Sequence, residues 1–223
     1  MNLTAFINGK ILVDGTFKEG LTLLVSDGQI LRVDREPAPK DAKLVNLQGK
    51  MLAPGFIDVQ VNGGGGVLFN ESPTPDAIST IAQAHRRFGT TGLLPTLISD
   101  DLDVVFEGLK AVDQAINDNV PGILGIHIEG PCLNKDRRGV HDASKLQQLS
   151  AEIVDQLQPL RQGATVLTLA PDRVDPELIS ILTKKGFIVC AGHSDASAKQ
   201  VNQALRQGMR GFTHLFNAMS QLQ

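Results

Sequence analysis

The chain shows two patterns of hydrophobic and polar positions, which change near residue 54. In residues 1–53, short apolar runs flank the turn signals Asn8-Gly9 and Asp27-Gly28, and each pair predicts a β-hairpin in a small β unit. From residue 54 onwards, apolar runs of strand length alternate with segments of helical spacing. The predicted strands are 56–62, 93–98, 123–129, 165–170, 188–193 and 212–216, and the predicted helices are 75–88, 102–116, 151–160, 176–185 and 196–206.

Alternating strands and helices predict an α/β fold with parallel strands and helical crossovers. A doubly wound open sheet could hold six strands. A TIM-type (β/α) barrel is favoured because its strands bring their carboxyl ends around one mouth, and polar residues stand at several of the predicted strand ends. A complete barrel has eight strands and typically ~250 residues. Residues 54–223 are therefore expected to form an incomplete barrel with six strands, truncated on the C-terminal side.

Three of the predicted strands carry a potential metal ligand near the carboxyl end. Glu129 ends one strand directly before Gly130-Pro131, and a buried carboxylate needs a hydrogen bond, a cation or a metal ion as partner. His193 and His214 stand near the ends of two later strands. Their wide separation does not suit a finger-type zinc site, but it suits ligands on separate strands. One carboxylate and two imidazoles leave room for water, which is a catalytic metal arrangement if the strand ends converge.

Each of these residues taken alone has a plainer interpretation. A single histidine at a strand end is more often a hydrogen-bonded polar residue than a ligand. Glu129 alone is equally well explained as one partner of an ion pair. The joint placement of the three residues at three strand ends is what favours the metal hypothesis.

Composition excludes several classes of function. The chain has 223 residues, 42% of them hydrophobic, a net charge of −3, and neither Trp nor Tyr. No basic excess indicates nucleic-acid binding, and of the aromatics that stack on bases only Phe is present. No apolar run approaches the roughly 18 residues of a membrane span. The amino terminus lacks the pattern of a secretion signal, and Cys132 and Cys190 are expected to be free thiols. A cytoplasmic protein is expected.

Four motifs in order along the chain carry a resemblance to a known family. They are PGFIDVQVNG at 54–63, HIEGP at 127–131, AGHS at 191–194 and THLFNAM at 213–219. Together they resemble the N-acetylglucosamine-6-phosphate deacetylases of the amidohydrolase superfamily. The resemblance implies a metal-dependent barrel, and it implies that residues 1–53 are a portion of a small β-sandwich built from both chain ends. It also implies a small-molecule amino-sugar phosphate as substrate and a homo-oligomer, a dimer or tetramer, at full length.

The resemblance also concerns the metal ions. Many amidohydrolases carry a His-x-His pair at the end of the first strand, where this chain has Gln60 and Asn62. Neutral amides bind zinc poorly, so one divalent metal ion, Zn, is expected rather than two, held by Glu129, His193 and His214. Gln60 and Asn62 are interpreted as hydrogen-bonding groups that orient their neighbours.

The resemblance implies further roles at the site. His141 matches a loop histidine that contacts the acetyl carbonyl, and Val140 a position that contacts substrate through its backbone. Asn217 and Ala218 match positions that bind the sugar phosphate, where a helix start would offer free N–H groups. The family's catalytic aspartate, on a later strand, has no counterpart in this chain. Asp172 and Asp195 do not match it by motif, and Asp195 is expected in a helix cap.

Three functions remain open from the sequence. The first is zinc-dependent hydrolysis of N-acetylglucosamine 6-phosphate to glucosamine 6-phosphate and acetate. The second is an amidohydrolase that acts on a cyclic amide. The third is a fragment that binds metal without turnover, because the catalytic aspartate is absent. The sequence does not distinguish a natural truncation from an artificial one.

Overall fold

The computed structural model describes residues 2–220, and the chain divides into two compact units, Met1–Gly55 and Phe56–Gln223. Within the described part of the first unit, a four-stranded sheet has the order β5-β4-β1-β6 and a three-stranded sheet has the order β3-β2-β7. Those strands are β1 (Leu3–Ile7), β2 (Lys10–Val13), β3 (Thr16–Lys18), β4 (Thr22–Ser26), β5 (Gln29–Asp34), β6 (Lys43–Asn46) and β7 (Met51–Leu52).

One of the two predicted hairpins is confirmed and the other is wrong. β4 and β5 pair antiparallel across Asp27-Gly28, whose φ angles of 48° and 79° are the left-handed values that a tight hairpin turn needs. β1 and β2 lie in different sheets, so Asn8-Gly9 does not close a hairpin. β2 pairs instead with β3 across Asp14-Gly15, a second left-handed pair of the same type. Gly9 is needed for a different reason, because its backbone packs closely against Leu47. A Cβ atom placed at this position would lie only 2.5 Å from Leu47 Cδ1.

The second unit alternates strands and helices as the sequence predicts. A short hairpin and a 3-10 helix, Lys135–Arg137, are added to the predicted elements. The strands are β8 (Phe56–Val61), β9 (Gly63–Gly64), β10 (Val67–Leu68), β11 (Thr90–Leu97), β12 (Gly125–Glu129), β13 (Ala164–Leu169), β14 (Ile188–Ala191) and β15 (Gly211–Phe212). The helices are α1 (Pro75–Arg86), α2 (Leu102–Asn117), α3 (Ala151–Gln156), α4 (Pro176–Lys185) and α5 (Ala198–Arg206).

The strand order of this unit identifies its architecture. Six strands pair in parallel in the order β15-β14-β13-β12-β11-β8, so neighbours in sequence are neighbours in the sheet. A doubly wound sheet would reverse its strand order at a switch point, whereas a (β/α) barrel advances one strand at a time. The unit is therefore an α/β fold that fits part of a TIM-type barrel. Within residues 56–220, β8 and β15 form the two edges of the sheet.

Local sequence signals explain where the helices begin. α1 starts after Thr74, whose side chain accepts from the N–H of Ala77, and α4 starts after Asp175 in the same way; a proline follows each cap. Ser197 and Gln200 form a capping box at the start of α5. Asp195, expected in this cap, takes no part in it. None of the described helices is long and apolar enough to span a membrane.

The last two strands of the barrel sheet are shorter than predicted. β14 ends at Ala191 and β15 at Phe212, so His193 and His214 lie beyond their strands rather than within them. Both histidines have positive φ angles, 49° and 34°, and a left-handed residue cannot continue a strand. Such conformations are costly for residues other than glycine, and they persist where surrounding contacts hold them.

Candidate metal centre

Glu129, His193 and His214 converge in the structure. Glu129 Oε1 lies 3.2 Å from His193 Nε2 and 3.0 Å from His214 Nε2, and the two Nε2 atoms are 2.9 Å apart. Glu129 and His193 are buried, and His214 is partly buried. Parallel pairing explains the convergence, because it brings the carboxyl ends of β12, β14 and β15 to the same edge of the sheet. The structure thus places the three predicted ligands in one cluster.

The hydrogen bonds at the far side of each ring define which nitrogen carries the proton. Nδ1 of His193 lies 2.9 Å from the carbonyl oxygen of Arg137, and Nδ1 of His214 lies 3.2 Å from that of Asn217. A carbonyl oxygen only accepts, so each Nδ1 donates and each neutral ring keeps a bare lone pair on Nε2. Both lone pairs face the Glu129 carboxylate.

This arrangement fits a cation. Three acceptors that face one another at 2.9–3.2 Å repel unless positive charge lies between them. The ligand atoms of a tetrahedral zinc ion lie roughly 3.3 Å apart when each bond is about 2.0–2.1 Å. A carbonyl group behind each histidine is the usual partner of a metal-binding imidazole. The cluster is therefore a candidate site for a divalent metal ion.

Without a metal ion, a proton balances the same charges. Burial raises the pKa of Glu129, but the neighbouring rings of His141 and His193 outweigh this effect and hold that pKa well below its ordinary range. Burial lowers the pKa of His193, but the hydrogen bonds to Glu129 and to the Arg137 carbonyl outweigh it, so this pKa lies above 6.5. His193 Nε2 is therefore a nitrogen for which a metal ion and a proton compete.

Zinc affinity is expected to fall with acid over a higher pH range than a histidine of ordinary pKa would give. Zinc must displace the proton of His193, so zinc affinity should rise with pH until the pH exceeds the raised pKa of this histidine. If one proton is released, the affinity should rise roughly tenfold per pH unit. Titration calorimetry between pH 6 and 8, in buffers of different ionisation enthalpy, measures both affinity and proton release. Binding that is independent of pH over this range would contradict the assignment of His193 as a ligand.

His141 faces the same cluster with a proton to donate. Its Nδ1 accepts from the backbone N–H of Ser99 at 3.1 Å, so its neutral ring carries the proton on Nε2, which lies 3.6 Å from Glu129 Oε2. The hydroxyl of Ser99 is 2.7 Å from the same Nδ1. His141 is almost fully buried, and its neighbour Val140 is 88% exposed. The loop thus directs one N–H into the site and leaves Val140 at its entrance.

These side chains line a pocket of about 370 Å³. Glu129 is its only carboxylate within the described part of the chain. The other lining residues are Gln60, Asn62, Leu68, Ile98, Val140, His141, His193 and His214.

The remaining predicted site residues lie around this pocket with other partners. Asn62 Nδ2 is 3.5 Å from the carbonyl oxygen of Thr96, and Gln60 lines the pocket beside it. Asn217 and Ala218 follow β15 in a bend in which Asn217 is exposed and Ala218 is partly buried, and no helix begins there up to Ser220. The backbone N–H of Asn217 donates to His214, so the free N–H group expected from a helix start is absent at that position.

Comparison with known proteins identifies relatives along almost the whole chain. The N-acetylgalactosamine-6-phosphate deacetylase of Shewanella sp. (strain ANA-3) is 43% identical over 218 residues, covering 96% of this chain and 55% of that protein. The N-acetylglucosamine-6-phosphate deacetylase of Rattus norvegicus is 36% identical over 227 residues, covering 96% and 54%. The crystal structure of N-acetylglucosamine-6-phosphate deacetylase from Pasteurella multocida matches with a TM-score of 0.90 and 31% identity, covering 98% and 58%.

The chain is homologous to these deacetylases. It spans about half the length of the curated relatives that it matches. No protein-family model matches the chain.

Sequence reasoning missed the polar residues that support the candidate metal centre. Ser99 stands just beyond the carboxyl end of β11, a position of the same kind as that of Glu129, so its place in the sequence is a signal that could have found it. Inside the sheet, His127 donates through Nδ1 to Val59 O at 2.9 Å and accepts from the Thr168 hydroxyl at 2.7 Å. Thr168 in turn bonds the hydroxyl of Thr213, the residue before His214, at 2.6 Å. Only the fold reveals this chain of contacts, because its members are far apart in sequence.

Proposed function

We propose that this protein is a zinc-dependent deacetylase that hydrolyses N-acetylglucosamine 6-phosphate to glucosamine 6-phosphate and acetate. The observation that carries the proposal is the convergence of one carboxylate and two imidazole lone pairs beside an N–H donor, His141, in one pocket. Homology to amino-sugar-phosphate deacetylases supports the substrate class.

Each residue of the site has a role in this proposal. Glu129, His193 and His214 would hold zinc, which supplies a Lewis acid for the amide carbonyl and lowers the pKa of water. His141 donates its Nε2–H to the carbonyl oxygen of the acetyl group and stabilises the negative charge that develops there. The backbone at Val140, at the pocket entrance, contacts the sugar. The turn that contains Asn217 and Ala218 binds the phosphate group.

Proton transfer to the leaving amine needs a further carboxylate. Glu129 is committed to the ligand cluster, and Asp172 accepts from Asn134 and Ser194 rather than lining the pocket. Asp195 pairs with Arg137. The general acid–base group that the family resemblance implies is thus not supplied by the described residues around the pocket. Its absence costs about 10² to 10⁴ in rate.

Acetate release tests the proposal. The substrate is N-acetylglucosamine 6-phosphate. The metal-free 223-residue chain is assayed with and without added zinc. If the reading frame continues past Gln223, the longer product is assayed in the same way. We expect zinc-dependent release by the longer product and a rate about 10² to 10⁴ lower in the 223-residue chain. Absence of zinc-dependent release from the longer product would overturn the proposed function. Equal rates would show that a residue of the 223-residue chain transfers the proton.

N-acetylgalactosamine 6-phosphate is a second candidate substrate. The relative named for this sugar is 43% identical to the chain, whereas the rat relative named for the glucose epimer is 36% identical. The two sugars differ only in the orientation of one hydroxyl group, so the same site chemistry serves both. The ratio of kcat/KM for the two phosphates, measured on one preparation, decides between them.

A single zinc ion is expected per chain. Asn62 is directed at a backbone carbonyl, and neutral amides such as Gln60 and Asn62 are weak zinc ligands, so no second site is expected at the end of β8. Elemental analysis after dialysis should give about one equivalent of metal or less. Two tightly bound equivalents would contradict this prediction, and the Gln60→His/Asn62→His double variant tests whether imidazoles at these positions create a second site.

Three further features belong to the same proposal. Residues 1–53 are proposed to be part of a small β-sandwich, in agreement with the two small sheets of the first unit, and residues 54–223 to be barrel. Free Cys132 and Cys190 support a cytoplasmic location. A homo-oligomer is proposed, and light scattering of the purified protein measures it.

A further inference from the structure

Asp172 occupies a central position among the loops at the mouth of the barrel sheet. It lies in the loop after β13 and is half-buried. Its Oδ2 accepts from Asn134 Nδ2 at 2.6 Å, in the loop after β12. Its Oδ1 accepts from the hydroxyl of Ser194 and from the backbone N–H of Asp195 at 3.2 Å, in the loop after β14. One carboxylate therefore joins the loops that follow three neighbouring strands.

Backbone N–H groups, which can only donate, determine the direction of the hydrogen bonds to Asp172. Asn134 Oδ1 accepts from the backbone N–H of Asp136 at 2.8 Å, so its amide must present Nδ2 to Asp172. On the other side, the backbone N–H of Asp195 can only donate. Asp172 must therefore accept on both of its oxygens, which a carboxylate does and a neutral amide cannot.

His193 belongs to the loop after β14 and contacts the loop after β12, two of the three loops that Asp172 joins. Its carbonyl oxygen accepts from the backbone N–H of Asn134 at 3.0 Å, and its Nδ1 donates to the carbonyl of Arg137. The next two residues, Ser194 and Asp195, are bound directly to Asp172. The φ angle of 49° at His193 also requires support from its surroundings.

We propose that Asp172 is a positioning residue for the metal centre: it holds the loop of Asn134 against the segment of His193, and so directs Nε2 of His193 at Glu129. The same loop continues to His141, so Asp172 aligns this N–H donor as well. This inference rests on the proposed metal centre. Groups behind metal ligands commonly change metal affinity by 10–100-fold when they are replaced.

The exposed ion pair nearby is not an equivalent anchor. Arg137 and Asp195 join the same two loops through contacts of 2.8 and 3.2 Å, but their side chains are 37% and 50% exposed. Exposed pairs contribute little, because water and salt screen them. Asp172 is the less exposed of the two links, and it makes contacts on both of its oxygens.

The Asp172→Asn variant tests this role without changing side-chain size. If Oδ1 keeps its bonds to Ser194 and Asp195, the new amide N–H₂ faces the N–H₂ of Asn134, and two donors meet. We expect zinc affinity to fall about tenfold or more. Asn134→Asp should have a similar effect, since two carboxylates would then face each other. Calorimetric zinc titration and the visible absorption spectrum of the cobalt-substituted protein report ligand geometry independently of turnover.

The decisive comparison is between the single variants and a double variant in which the carboxylate of Asp172 and the amide of Asn134 are exchanged. In the Asp172→Asn/Asn134→Asp double variant, the amide donates to the carboxylate in the reverse direction and every other acceptor is kept. Zinc affinity and the cobalt spectrum should return to within about threefold of the unchanged protein. Asp175→Asn is the matched control, because Asp175 lies in the same loop but caps only α4, where Asn caps equally well.

The possible results distinguish the positioning role of Asp172 from the proposed metal centre itself. The positioning role would be overturned if Asp172→Asn bound zinc as tightly as the unchanged protein. It would also be overturned if the double variant lost as much zinc affinity as the two single variants together. A loss of affinity in Asp175→Asn equal to that in Asp172→Asn would also overturn it. Failure of the unchanged protein to bind zinc would refute the proposed metal centre instead. Thermal unfolding of every variant separates a local change from general loss of structure.

Discussion

Glu129→Gln is expected to abolish zinc binding and, with it, all zinc-dependent acetate release. The amide keeps the size of the carboxylate but removes the negative charge that two imidazoles share through Oε1. Neutral amides are poor zinc ligands, and this position is one of only three in the cluster. We expect zinc affinity to fall by at least about 10²-fold, more than replacement of a group behind a ligand would cause. Calorimetric titration of the metal-free variant measures this loss.

Glu107→Gln is the control for this substitution. Glu107 is exposed on α2, so the same chemical change there should leave zinc affinity unaltered. Retention of tight zinc binding by Glu129→Gln would refute the three-ligand centre. The circular dichroism and melting temperature of both variants show whether the fold remains intact.

His141→Phe is expected to lower kcat by about 10² to 10³ while zinc still binds. Phenylalanine fills the buried space of the ring but removes the Nε2–H that Ser99 orients towards the cluster. Zinc affinity should change by less than about 100-fold, because His141 lies beside Glu129 and is not one of the three ligands. Measurement requires a catalytically competent form of the protein and separate determination of kcat, KM and zinc affinity.

His141→Gln distinguishes donation from packing. A glutamine amide N–H reaches about as far as Nε2–H, so this variant should recover part of the rate lost in His141→Phe. If both variants lose zinc to the same extent as Glu129→Gln, His141 acts by supporting the ligand. If both keep full kcat, another group donates to the carbonyl oxygen.

Many elements of the barrel unit could be predicted from local patterns. The sequence places α4 at 176–185, which is its span in the structure, because Asp175 and Pro176 begin a helix and Gly186, with a φ of 108°, ends it. The six strands of the sheet were recognised because continuous apolar runs are typical of parallel strands with both faces buried, as in β12. Glu129 stood out because a carboxylate at the end of such a run requires a partner.

Local patterns failed where a contact distant in sequence determines the conformation. The Asn8-Gly9 signal resembles a hairpin turn, but β1 pairs with β4 and β6 instead of β2. His193 and His214 were predicted within strands, because the contacts that hold them at positive φ come from other loops. Asp172 and Thr168 have no signal comparable to that of Glu129, since their importance depends on which groups lie opposite them.

Sequence was thus sufficient to predict the alternating α/β pattern, to select three candidate ligand residues and to recognise the family that the chain resembles. These features are local, because side-chain periodicity and residue chemistry are properties of short segments. Tertiary structure was needed to bring Glu129, His193 and His214 within hydrogen-bonding distance and to select the protonated nitrogen of each ring. Both depend on which strands are neighbours and on which backbone carbonyls face each ring, and those relations exist only once the chain has folded.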